Sequence, residues 1–555
     1  MYFCINFRLF FNQLSVMRII YTNILVVFFL LLLPVYSFGT GYYFYVQLKD
    51  KNNSPFSLSN PSAFLSDRAI ERRSFFNVPV DSTDLPVNPQ YLSQLTGTGV
   101  KIHCTTKWLN GVTVMTKDTS AAAQLRLLPF VKYVQYTGIT QVYDNIAPIP
   151  SKVKAAETDY GVAAVQLDQM NGRILHQNGY KGENMHIAVL DAGFRNVNTN
   201  PAFNILRNEG RVSGTKDFVN PYSNIYLEDA HGAYVLSAMA AELEGTYVGT
   251  APEASYLLIR TESAEGEYLC EPDFWVSGIE YADSAGVDLA TTSLGYTTFD
   301  DPAMNYTYAE MNGKTARASI AATMAFKKGI MLLNAAGNDG NKTWKYIGVP
   351  GDAEGVITVG SVRKDSVYST FSSIGPSADG RIKPELAALG TSTYVISTSG
   401  STTNASGTSF ATPVLAGITA CYLQAAKSLK PHLTLPEIQN NLFKTGHLYN
   451  NPTAETGYGI PDFQKAFYEL TSNTVSQTQA NQLSQKKAIK LLVDDTKRNI
   501  LIKLNTQNHA EMGIVRVFSL TGQVVSEKSY SGSYIQINTE KLEKGIYLIQ
   551  INTER

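Results

Sequence analysis

Between residues 160 and 470, short unbroken apolar runs recur with helical patterns between them. The runs are His186–Leu190, Tyr256–Ile259, Asp288–Thr292, Gly329–Asn334 and Val356–Val359, and they lack the polar alternation of a half-exposed strand. A strand that is apolar on both sides must be covered on both sides. The intervening helices are the cover that the chain supplies. This pattern dictates an α/β fold with a parallel sheet flanked by helices. Its functional groups are expected at the carboxyl ends of the strands.

The flanks read differently. At 555 residues the chain is too long for one ordinary core, and length alone suggests three or four folding units. Ile24–Leu33 is a ten-residue apolar run, preceded by Met17-Arg18 and followed by small residues near Ser37–Gly39. This is a secretory signal pattern, and the run is too short to favour a span, which needs about 20 residues. Translation from Met17 would lose nothing that the signal needs, and the mature form is expected to have no membrane span. From Tyr42 to Gln135 the expected order is βαββαβ, with one helix over Asn60–Phe75, a second over Ala121–Leu128, and strands at Tyr42, Val100, Val112 and Val131. That order is the ferredoxin-like arrangement. Asp144–Asp159 and Thr471–Lys487 read as linkers. From Ala488 onward the pattern is all-β, with strands expected at Ile489–Val493, Ile500–Leu504, Ile514–Leu520, Tyr534–Asn538 and Ile546–Ile551.

Charge excludes one class of function. The formal net charge is −1, from 46 basic and 47 acidic residues, and a nucleic-acid binder would show a basic excess. The four cysteines, Cys4, Cys104, Cys270 and Cys421, form neither a metal-ligand cluster nor a CxxC pair. Cys4 and Cys104 lie in segments expected to be removed. For the other two the alternatives are a Cys270–Cys421 disulfide and two unpaired thiols with Cys421 in a helix core. The second is the expected state.

Four residues carry chemistry. Ser409 sits in Ser406-Gly407-Thr408-Ser409-Phe410-Ala411-Thr412-Pro413, ahead of a helical run. A serine there is either an N-cap or a nucleophile whose developing oxyanion faces free N–H groups. The glycine and small residues, which let a substrate backbone approach, favour the nucleophile. His231 is the one of seven histidines followed by a glycine and a small-residue helix, His231-Gly232-Ala233. It is the candidate general base. His186, beside a strand, is its nearest competitor. Asp191 ends the strand HIAVL, where an acid can orient an imidazole; alone it reads equally well as a turn former. Asn338, in Asn334-Ala335-Ala336-Gly337-Asn338-Asp339-Gly340, can donate its amide to an oxyanion. Asn334, Asp339 and Asn341 are read as turn residues.

The order Asp, His, Asn, Ser, spaced by 40, 107 and 71 residues, resembles the subtilisin-like serine peptidases, or subtilases. Val248-Gly249-Thr250-Ala251-Pro252, Thr292-Ser293-Leu294-Gly295, Lys383-Pro384-Glu385 and Gly457-Tyr458-Gly459 extend the resemblance over residues 160–470. It implies that Asp191, His231 and Ser409 are the catalytic triad, that Asn338 serves the oxyanion, and that Ser293, Leu294 and Gly295 bind substrate. Ala192 and Ala233 stand where the family usually has hydroxyl residues, and Leu389 where a proline is common. No cofactor is implied; structural calcium is common in the family, but no oxygen-ligand loop stands out. The segment 42–135 resembles a subtilase propeptide. The tail resembles type IX secretion sorting domains through Val517–Val525 and Leu542–Leu548, although the usual Y-P-N-P opening is missing and the end is less basic than usual.

The expected organisation is therefore a signal peptide (1–39), a ferredoxin-like propeptide (40–144), a subtilisin-like catalytic domain (145–470), a linker (471–487) and a small β-sandwich sorting domain (488–555). The expected partners are protein or peptide substrates, the protein's own propeptide and the secretion machinery, with no nucleic acid. The expected location is outside, or on the outer surface of, a Gram-negative cell. Two rival readings weigh less. A non-catalytic binding protein of this fold would be expected to lose one of the four residues. An esterase would carry a G-x-S-x-G elbow, and here Ala411 replaces the second glycine.

Overall fold

The computed structural model describes residues 41–140, 160–264, 266–471 and, in part, 489–554. The expected signal segment with Cys4, the 144–159 linker, residues 472–487 of the second linker, and Leu520–Gly522 and Glu543–Ile546 of the tail lie outside the described residues. Packing divides the chain into two units, residues 1–471 and 472–555.

The first unit opens with an antiparallel four-stranded sheet: β1 (Tyr42–Leu48), β2 (Lys101–Thr106), β3 (Gly111–Thr116) and β4 (Val131–Ile139), in the order β2-β3-β1-β4. The apolar sides of these strands face helices α2 (Pro89–Thr96) and α3 (Ala121–Leu127) over a core of Phe44, Val46, Leu95, Val112, Val114 and Leu125, to which helix α1 (Asp67–Phe75) contributes no residue. The single helix expected over Asn60–Phe75 is corrected. A 3-10 turn at Pro61–Ala63 is separated from α1, whose N-cap is Ser66, accepting from Ala69 N. A serine side chain that bonds backbone two or three residues on starts a new helix rather than continuing an old one. Helix α2, begun by Asn88 and Pro89, is an additional element between β1 and β2.

The parallel sheet has seven strands: β5 (His186–Asp191), β6 (Val212–Asp217), β7 (Ser255–Arg260), β8 (Leu289–Thr292), β9 (Met331–Ala335), β10 (Ile357–Val362) and β11 (Leu386–Leu389). Their order is β11-β10-β9-β8-β5-β7-β6, and every neighbouring pair is parallel. Residues of β5, β8, β9 and β10 are buried throughout. That is the double cover their uninterrupted apolar sequence demands. The two edge strands were not foreseen: β6 (VSGTKD) is half polar and β11 (LAAL) is short. Helices α4 (His231–Ala240), α5 (Cys270–Ala285), α6 (Arg317–Lys327) and α7 (Thr408–Leu429) provide the cover. Helix α7 is the one among the described residues long and apolar enough to cross a bilayer, yet 94% of its apolar window is buried in protein. Cys104, Cys270 and Cys421 are all free and buried, Cys421 inside α7, so the disulfide alternative is not realised.

The N-terminal sheet docks on α5 through buried charges. Asp283 of α5 receives Arg72 at 2.6 Å, Arg73 at 2.9 Å and Lys107 at 2.9 Å, all within the protein. Burial raises the Asp283 carboxyl, but Lys107, Arg72 and Arg73 outweigh it and hold the group below the usual carboxylate range. Glu280, one turn earlier, accepts Lys107 N at 2.6 Å, Trp108 N at 3.0 Å and the Thr106 hydroxyl.

The second unit has six strands: β12 (Ile489–Asp494), β13 (Asn499–Leu504), β14 (Met512–Phe518), β15 (Val524–Ser531), β16 (Tyr534–Asn538) and β17 (Leu548–Glu554). They form two three-stranded sheets, β12-β13-β16 and β15-β14-β17. Val515, Val517, Ile535 and Ile537 share one core between the sheets. Strand β15 was not foreseen, because its residues are mostly exposed and polar. The last strand begins at Leu548 rather than Ile546.

Candidate active site

Asp191 is the last residue of β5 and has no solvent exposure. Its Oδ1 accepts the His231 ring nitrogen Nδ1 at 2.8 Å and Ala192 N at 2.8 Å. Its Oδ2 is buried with no partner among the described residues. The side chain at 192 carries no hydroxyl that would satisfy it. His231 opens α4, and its backbone N–H donates to Asp229 Oδ1 at 2.7 Å. The glycine after it is there for space. A Cβ on Gly232 would lie 2.4 Å from Gly193 O and 2.9 Å from Asp191 Cβ. The strand bearing the acid and the helix bearing the base approach this closely only with glycine at 232.

Four effects act on the His231 imidazole. Burial lowers its pKa, while the Asp191 charge, the bond to Asp191 and the Asp229 charge raise it. The sum lies above the ordinary histidine value. A general base acts in its neutral form, so His231 becomes competent as pH rises through and beyond the usual imidazole range.

Ser409 is the second residue of α7, so its own N–H lies in the first turn, where no helical acceptor exists. Its carbonyl accepts the Ser293 hydroxyl at 2.8 Å, and its Oγ lies 3.4 Å from Ser293 O. No hydrogen bond joins Ser409 Oγ to His231 Nε2 among the described residues. Such contacts are often loose before substrate binds. Asn338 is exposed on the loop after β9. Its Oδ1 accepts Thr408 N at 2.9 Å and the Thr408 hydroxyl at 3.2 Å. These bonds fix which way the amide faces and leave Nδ2 without a protein acceptor among the described residues. Ser293, Leu294 and Gly295 lie just beyond the end of β8, outside its ladder, with burial falling along them from Ser293 to Gly295. The structure thus brings Asp191, His231, Ser293, Asn338 and Ser409 to the carboxyl ends of neighbouring strands or to helix starts beside them. His186 is set apart: it is buried at the start of β5 and bonded to Ser213 Oγ.

Some neighbours escaped the sequence reading. Asn334 is no turn residue, which corrects that expectation. It is fully buried in β9, and its amide donates to Leu294 O at 3.2 Å and Ala335 O at 2.7 Å. It ties the Ser293–Gly295 segment to the strand leading to Asn338. Glu262, Glu267 and Glu271 bring carboxylate oxygens within 4.8 Å of one another, the spacing of a cation site. Their oxygens already serve other donors: Glu262 takes the Tyr296 hydroxyl at 2.8 Å, and Glu271 takes Ser263 N and Tyr268 N. Burial comes first, then mutual repulsion, in pushing all three well above the carboxylate range.

With this geometry in place, comparison with known proteins identifies the parts. Residues 182–460 match the subtilase family. Residues 43–154 match the subtilase propeptide domain of Bacteroidota, and residues 496–555 match the secretion-system C-terminal sorting domain. Subtilisin NAT of Bacillus subtilis subsp. natto is 28% identical over 66% of this chain and 83% of its own. Subtilisin DY of Bacillus licheniformis is 30% identical over 52% of this chain and 92% of its own. The solved self-cleaved protease domain of PatA aligns with 52% of this chain and 98% of its own, at 23% identity and a TM-score of 0.42. The propeptide and sorting domains mark a protein secreted from, or held on the surface of, a Gram-negative bacterium. The chain belongs to the subtilase family and is a serine endopeptidase of that family.

Proposed function

We propose that this endopeptidase works through an acyl-enzyme on Ser409, with His231 as general base and acid and Asp191 as the group that orients it. The observation that carries the reading is the 2.8 Å bond from His231 Nδ1 to a buried Asp191, set beside a serine in the first turn of a helix. His231 Nε2 takes the Ser409 proton as Oγ attacks the scissile carbonyl. The oxyanion meets Asn338 Nδ2 and the Ser409 N–H. His231 then protonates the leaving amine, and water repeats the sequence on the ester. An extended peptide pairs with Ser293–Gly295 by main-chain bonds, as in strand addition. The reaction needs no cofactor. The enzyme is made as a zymogen whose own serine releases the 40–144 segment, and this segment occupies the enzyme as folding aid and inhibitor.

Ser409→Ala tests the reading. The variant should fold, fail to label with a fluorophosphonate and retain the N-terminal segment by intact mass, whereas the wild type labels and loses it. Maturation of the variant in a host lacking other proteases would end the self-processing reading. Labelling of the variant would end the assignment of the nucleophile.

A further inference from the structure

One buried side chain, Arg260, stands at the junction of the acid and base segments. Arg260 ends β7, in register with Asp191 at the end of β5. Paired residues of parallel strands face the same side of the sheet, so Arg260 lies on the Asp191 face. It is 7% exposed. Its guanidinium reaches three separate segments. Nε donates to Ala192 O, the carbonyl directly after the acid, at 2.9 Å. Nη1 donates to Asp217 Oδ2, at the end of β6, at 3.1 Å. Nη2 pairs with Glu228 Oε2, three residues before His231, at 3.2 Å.

These three points bracket one loop. Residues 218–230 leave β6 and return to His231. Phe218 and Val219 at its start pack against core residues, and Ala230 at its end is buried; between them Ile225 is the one buried apolar anchor, while Tyr222 is 97% exposed and Leu227 66% exposed. A loop with so little burial relies on polar ties for its position. Some are backbone bonds to the turn after the acid: Phe194 N to Ile225 O, Arg195 N to Asp229 O and Asn196 N to Tyr226 O. Asp217 secures the loop's start by accepting Val219 N at 2.8 Å and Asn220 N at 2.7 Å. Arg260 is the one side chain among these ties that holds the loop's start, its end and the residue after Asp191 together. The planar fork of arginine can serve three acceptors in fixed directions, and a lysine ammonium at this site would reach fewer.

We infer that Arg260 is a positioning residue for the hydrolytic reaction: it sets the distance and direction of His231 relative to Asp191 by clamping Ala192, Asp217 and Glu228. It touches no reacting atom and acts through the histidine loop. This inference rests on the triad reading above. An error in the placement of the imidazole of about 1 Å can cost up to about 100-fold in rate. The clamp should therefore show in turnover and not in substrate affinity.

The test uses the full-length precursor carrying Arg260→Gln or Arg260→Lys, matured beside the wild type and Ser409→Ala. Arg260→Gln should lower kcat about 10–100-fold with KM within about twofold, and slow fluorophosphonate labelling of Ser409 in parallel. Labelling depends on the histidine and not on peptide binding. Arg260→Lys should recover part of the loss. If Arg260→Gln does not mature, Glu228→Gln removes only the arm to the histidine loop, and should lower kcat at least about threefold at unchanged KM. An unchanged kcat and labelling rate, with at most a lower Tm, would reduce Arg260 to a stabilising ion pair and overturn the inference. So would a rise in KM alone. A wild type that neither labels nor cleaves would instead overturn the triad reading, so the two failures are distinct.

Discussion

The hydrogen bonding of Asn338 is one-sided. Both bonds to Thr408 fall on its carbonyl oxygen, so the amide nitrogen is held facing away from them. In the proposed mechanism its loss removes a donor to the developing charge without removing a contact to the substrate ground state. Asn338→Ala should therefore keep KM and lower kcat by about 10²–10³, a magnitude taken from subtilisin itself, where the equivalent donor has been removed. Steady-state kinetics on a peptide substrate reads it, and unchanged turnover would take Asn338 out of the mechanism. Asn338, Asp191, His231 and Ser409 were legible because each stands beside a glycine or a run of small residues that only a close approach explains. Gly232, wedged against Gly193 O and Asp191 Cβ, is the clearest case. Asn334 and Arg260 were not legible. Each is a polar residue at the end of an apolar run, and its partners, Leu294 O for one and Ala192, Asp217 and Glu228 for the other, lie far away in sequence.

Among the elements, α5 carries the strongest electrostatic commitment. Asp283 pairs with Arg72, Arg73 and Lys107 from the propeptide region, all buried with it, and Arg73 is also held by Asp84. Removing one member of such a group leaves uncompensated buried charge, at a cost of about 3–5 kcal/mol. Asp283→Asn should therefore loosen the cleaved propeptide from the enzyme. Affinity capture through a C-terminal tag should recover the propeptide with the wild type and lose it with the variant. Equal recovery would show that these pairs contribute little to the hold. None of this pairing could be read from the chain, because an Asp in an amphipathic helix looks the same whether it faces water or three cations. Strands were legible where burial is two-sided, as in β5 and β9. They were missed at the edges, in β6 and β15, where half the residues or more face water and the apolar signal disappears, and in β11, which is buried but only four residues long.

For the whole molecule, the division after Thr471 separates the hydrolytic unit from the β-sandwich. All of the residues assigned to catalysis lie in the first unit. Deleting residues 488–555 should leave peptidase activity intact and hold the enzyme inside the outer membrane, while the full-length protein reaches the exterior or outer surface. Fractionated cells assayed for activity would show it. Equal export of both forms would mean that the matched sorting domain does not direct this chain. Export also bears on α7. Within Thr408–Leu429 an 18-residue stretch has a mean hydropathy of 1.2, long and apolar enough by composition alone to cross a bilayer. In the finished protein this apolarity is an asset, since the helix is surrounded by others. To a chain crossing the inner membrane before it folds, the same stretch is a potential stop. Thr408, Thr412 and Thr419 reconcile the two demands. They are wholly buried in the fold, where the Thr412 hydroxyl is absorbed by Thr408 O at 2.8 Å. In the unfolded chain they make the segment less at home in lipid. The helix that carries the proposed nucleophile is thus apolar enough to fill a core, while its threonines lower the hydropathy that the unfolded chain presents to a membrane.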